Sequence, residues 1–69
     1  MKYYKGTYDE CKAIVDRISA EYGYPKYASK TSGLMPVEVN SDGEYFFYIH
    51  SYWDDLTEEE KTSNKIYED

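Results

Sequence analysis

Only eleven of the 69 residues are Leu, Ile, Val or Phe, too few for an aliphatic core in a chain of this length. Combined with a formal charge of −6, that shortage is what a disordered chain shows. Ten tyrosines and one tryptophan reverse the expectation, because disordered chains are poor in aromatic side chains. An aromatic-rich core is therefore the expected route to a fold. The length suits a single domain, residues 1–69, and a chain so small buries only about 60% of its unfolded surface. A deep catalytic cleft is not expected from it. No run approaches the roughly 20 apolar residues of a membrane span, and no leader-like opening is present. Cys11 stands alone, so no internal disulfide can form, and a reducing, cytoplasmic setting is expected.

The rings fall into a readable order of elements. Met1-Lys2-Tyr3-Tyr4-Lys5 reads as a short strand bounded by Gly6. Thr7-Tyr8-Asp9-Glu10 is a capping box, in which the Thr7 hydroxyl accepts from the third helical amide and Glu10 reaches back. Cys11, Ile14, Val15, Ile18 and Tyr22 then recur at helical spacing until Gly23 and Pro25, predicting a helix over 8–22. Lys12 with Asp16, and Arg17 with Glu21, are opposite charges four apart on its wet side. Residues 24–36 are polar, with room for a short irregular strand around 26–31.

A hairpin follows. Val37-Glu38-Val39 alternates, Asn40-Ser41-Asp42-Gly43 turns with Gly43 left-handed, and Glu44 to Tyr52 is strand-forming, which sets Val39 opposite Tyr45. Alternation assigns Met35, Val37, Val39, Tyr45, Phe47 and Ile49 to the core face. Glu38, Asn40, Glu44, Phe46, Tyr48, His50 and Tyr52 take the other. Thr57 with Glu60 makes a second capping box and predicts a short helix over 57–64. The tail beyond it frays unless Ile66 and Tyr67 dock. The expected fold is α+β: one amphipathic helix packed on a small antiparallel sheet in β-α-β-β order, with a short C-terminal helix.

Catalysis finds few of the groups it needs. Cys11 and His50 are the sole members of their types, and nothing in their positions brings thiol to base. His50, Asp54 and Asp55 are ligand types without metal-binding spacing, and Asn40, Asp42 and Glu44 lack the bidentate glutamate of a calcium loop. No catalytic residue, metal or cofactor is assigned. Charge is more informative. Residues 1–37 carry six Lys/Arg and four Asp/Glu, whereas residues 38–69 carry two and ten. Such an acidic half repels phosphates, so direct nucleic-acid binding is not expected even though Phe46, Tyr48 and Tyr52 have the spacing of a base-stacking platform. Rings ringed by charge suit a protein interface, whether a partner or a second copy in a homodimer covers them.

Small size, acidity, tyrosine richness and α+β order resemble, as a class, small phage-encoded inhibitors such as anti-CRISPR proteins and uracil-DNA glycosylase inhibitors. The resemblance is one of whole-chain composition and assigns no residue a role. It implies a non-catalytic module, encoded by a phage or mobile element, that occludes a basic, nucleic-acid-binding surface of a host protein in the host cytoplasm. The residues expected to meet that partner are Phe46, Tyr48, Tyr52 and Trp53 as anchors, with Asp54, Asp55, Glu58, Glu59 and Glu60 supplying charge. A structural accessory subunit of a virion or other assembly is the alternative.

Overall fold

Residues 1–23, 36–49 and 52–69 are described by the computed structural model. Alternation at the start of the chain buries Tyr4 on one side and sends Tyr3 and Lys5 to the other, and the segment forms strand β1 (Lys2–Gly6). Helix α1 (Tyr8–Glu21) starts at the expected capping box. Thr7 Oγ1 accepts from the Glu10 amide at 3.1 Å, and Glu10 Oε1 accepts from the Thr7 amide at 2.9 Å. Cys11, Ile14, Val15 and Ile18 are buried as the stripe predicts, but Tyr22 is half-exposed and its hydroxyl donates to Asp55 Oδ2 at 2.8 Å. Gly23 ends the helix at a φ of 84°, which a side chain would resist.

The Lys12–Asp16 pair forms, but Arg17 does not take Glu21. Its guanidinium crosses to Glu60, with nitrogen–oxygen distances of 2.7 and 2.8 Å to the two carboxylate oxygens. A forked donor favours a carboxylate that offers both oxygens in one plane.

The hairpin keeps its predicted register. β2 (Glu38–Val39) pairs with β3 (Tyr45–Tyr48), setting Val39 opposite Tyr45 and Glu38 opposite Phe46. Gly43 turns the chain at φ 80°, and the Asn40 amide donates to the Glu44 carbonyl at 3.0 Å. The strand stops at Tyr48 instead of running to Tyr52. The Tyr52 amide donates to the Ile49 carbonyl at 2.9 Å, turning the chain into a 3₁₀ turn over Trp53–Asp55. Met35, the segment 26–31 and His50 lie outside the described residues.

Helix α2 (Glu58–Lys61) keeps its capping box but is shorter than the predicted 57–64. The Thr62 and Ser63 hydroxyls donate to the carbonyls of Glu58 and Glu60, each at 2.8 Å, and close the last turn. The tail docks. Ile66–Glu68 forms β4, antiparallel to β1, with Tyr67 opposite Tyr3. The sheet order is β2-β3-β1-β4, every neighbouring pair antiparallel.

Tyr4, Cys11, Ile14, Val15, Ile18, Phe47, Ile49 and Leu56 make the core, with Val37, Tyr52, Trp53 and Ile66 packed against it. Val39 and Tyr45 do not join it, at 57% and 36% exposed. α1 packs on β1 and β3 and leaves the two-residue edge β2 uncovered. The fold is a small α+β domain with one main helix, one short helix and a four-stranded antiparallel sheet. Among the described residues no helix is long and apolar enough to cross a membrane.

Candidate interaction face

The sheet has two unlike faces because α1 lies on only one of them. On the other, period-two alternation collects Tyr3 and Lys5 from β1, Phe46 and Tyr48 from β3, and Tyr67 from β4. Tyr3 is the hub. Its ring centroid lies 5.9 Å from those of Phe46 and Tyr48, both edge-on, and 5.5 Å from Tyr67 in a stacked arrangement. Phe46 and Tyr48 close the set at 5.5 Å. Rings at these separations hold one another by quadrupole as well as by buried area.

Carboxylates surround the rings. Glu38 pairs across from Phe46, Glu44 lies 3.4 Å from Lys5 Nζ, and Tyr48 donates to Asp69 Oδ2 at 3.5 Å. The Tyr48 hydroxyl is pushed above its ordinary pKa by desolvation and then by the charges of Asp69 and Glu38. Glu44 is held below the usual carboxylate range by the Asn40 amide and then by Lys5. Lys5 Nζ lies 4.5 Å from the centre of the Tyr67 ring, so this lysine sits between a ring and a carboxylate. Past Lys5 the face runs over the end of the sheet into a groove of about 620 Å³, whose walls include Tyr8, Glu44, Tyr45, Lys65 and Tyr67. Tyr8 packs edge-on against Tyr45 at 5.3 Å, and Lys65 is tied to Glu10.

No protein-family model matches the chain, and neither curated proteins nor solved structures give a match. The residues themselves therefore carry the functional reading.

The nine residues singled out from sequence divide between two places. Phe46 and Tyr48 share the open face. Tyr52 does not, because the chain turns before it; its ring packs on the core and lies 5.3 Å from Tyr22 of α1. Trp53 also packs on the core, with Lys2 Nζ 4.1 Å above its ring. The acids lie around the 3₁₀ turn and α2. Asp55 accepts from Tyr22, and Glu60 is bound by Arg17, which holds it below the usual carboxylate range. Asp54, Glu58 and Glu59 are exposed, with Glu58 3.6 Å from Lys61.

Tyr3 and Tyr67 were missed as face residues. Tyr3 was readable, since it alternates with Tyr4 in the first strand. Tyr67 was not, because Ile66–Glu68 is too short to read as a strand without its partner.

Cys11 does not reach this face. It is fully buried on the inward side of α1, its thiol donates to the Tyr45 carbonyl at 3.6 Å, and desolvation pushes its pKa up to about 11. A thiol so placed is protonated at neutral pH and inert as a nucleophile. Among the described residues no three His, Cys, Asp or Glu side chains group closely enough to hold a metal ion.

Proposed function

We propose that this protein is a non-catalytic protein-binding module whose aromatic sheet face seats on a basic surface of a partner protein and occludes it. One observation carries the reading: Tyr3, Phe46, Tyr48 and Tyr67 interlock on the side of the sheet away from α1, and no described element packs over them. Tyrosine-rich centres with charged rims are what protein interfaces use for anchoring. The rim here is acidic, with Glu38, Glu44 and Asp69 against Lys5, which favours a basic protein over nucleic acid. Asp54, Glu58 and Glu59, exposed around the 3₁₀ turn and α2, add a long-range field and no anchor. Occlusion of a nucleic-acid-binding surface, as phage inhibitors achieve it, is the activity this charge distribution suits.

The test is kinetic. In a Tyr3→Ala/Phe46→Ala variant shown to be folded by circular dichroism, binding of a partner captured by the parent should weaken by about 2 kcal/mol or more, chiefly through faster dissociation. Reversing Asp54, Glu58 and Glu59 to Lys should instead slow association and flatten its salt dependence. A partner held by the ring variant at parental affinity removes the face from consideration. A solution dimer abolished by the same variant assigns the face to self-assembly, the role of a structural subunit.

A further inference from the structure

Glu44 is fixed by its turn before any cation reaches it. Its amide donates to Asn40 Oδ1 at 3.0 Å, and Asn40 Nδ2 donates back to Glu44 Oε1 at 3.2 Å. Tyr67 is likewise held, stacked on Tyr3 with 17° between the planes. A ring and a carboxylate therefore stand ready on either side of one position, and Lys5 Nζ fills it, 4.5 Å from the ring centre and 3.4 Å from Glu44 Oε1. The lysine uses this site poorly. Its compact ammonium offers no plane to stack on Tyr67 and no fork for two carboxylate oxygens, and it meets the same Oε1 that Asn40 already binds. The Glu44 side chain is 46% exposed, and an ion pair so open to water is readily displaced.

Resting on the protein-binding reading above, we propose that Lys5 is an internal placeholder for an arginine of the partner. The guanidinium stacks on Tyr67 and takes both oxygens of Glu44, while Lys5 swings out to water. The neighbouring groove beside Tyr8 and Tyr45 has room for an extended segment carrying that arginine. The acidic balance of residues 38–69, ten acids against two lysines, attracts a basic segment to the protein.

The probe is a single-arginine peptide, acetyl-Gly-Arg-Gly-amide, titrated into the intact protein by ¹H–¹⁵N nuclear magnetic resonance beside its lysine counterpart. The expected result is shifts at Lys5, Gly43–Tyr45 and Tyr67, with arginine bound at least about threefold more tightly than lysine. Lys5→Gln keeps a polar side chain at this position but vacates the cation site, and should raise arginine affinity by about threefold or more. Lys2→Gln removes the same charge on the α1 side, over Trp53, and should leave affinity unchanged. Glu44→Gln should abolish the arginine preference. Equal binding of the two peptides, equal gains from Lys5→Gln and Lys2→Gln, or shifts confined to Asp54–Glu59 would each overturn the placeholder. None of these outcomes bears on the Tyr3→Ala/Phe46→Ala measurement, so the two readings fail separately.

Discussion

Cys11 carries a reactive side chain that has no access to water. Zero exposure, a hydrogen bond to the Tyr45 carbonyl and a pKa raised to about 11 all keep the thiol neutral. The native protein should therefore react with iodoacetamide at pH 8 at least about a hundredfold more slowly than the unfolded chain, since labelling must wait for opening. Labelling of the folded protein at the unfolded rate, read by mass spectrometry, would show that α1 does not cover the sheet as described. The burial of Cys11 was legible because it sits three residues from Ile14 on a helical stripe. The placement of Tyr52 was not. Alternation from Tyr48 assumes an unbroken strand, and the turn through the Ile49 carbonyl breaks that parity without a Gly or Pro to announce it.

Among the elements, β4 does more than its three residues suggest. Its pairing satisfies the free edge of β1, sets Ile66 against the core and supplies Tyr67 to the open face. A chain ending at Lys65 should leave β1 as an exposed edge and lose cooperative thermal unfolding, as followed by circular dichroism. A truncated protein melting within a few degrees of the parent would reduce β4 to a passenger. The capping boxes at Thr7 and Thr57 were legible because their chemistry is local, complete within four residues. The hairpin register was legible for the same reason, through Asn40 and Gly43. β4 and the Arg17–Glu60 bridge were hidden because each needs a partner more than forty residues away.

Across the whole molecule, carboxylates tie separate elements together, and that makes stability depend on acid. Lys65 and then the Thr7 amide hold Glu10 below the usual carboxylate range; Asn40 and then Lys5 do so for Glu44, and Arg17 does so for Glu60. A folded-state pKa below the unfolded value contributes stability that is complete above the unfolded value and is lost as pH falls through the folded one. The melting temperature should therefore be level between about pH 6 and 8 and fall once pH drops below roughly 4.3, the ordinary glutamate value. Glu60→Gln should melt lower at neutral pH and show a shallower fall in acid, by calorimetry. An acid profile identical to the parent's would mean that the Arg17 bridge contributes nothing. The sheet order also fixes a sequence of events in time. Tyr3 of the inner strand β1 finds its strand neighbours at Tyr48 and Tyr67, so β1 has nothing to pair with until segments distant along the chain arrive. α1 and the β2–β3 hairpin can form early from local contacts, while β1 waits on the closure of two long loops, and the open face that rests on Tyr3 and Tyr67 is completed only when the last of those loops closes.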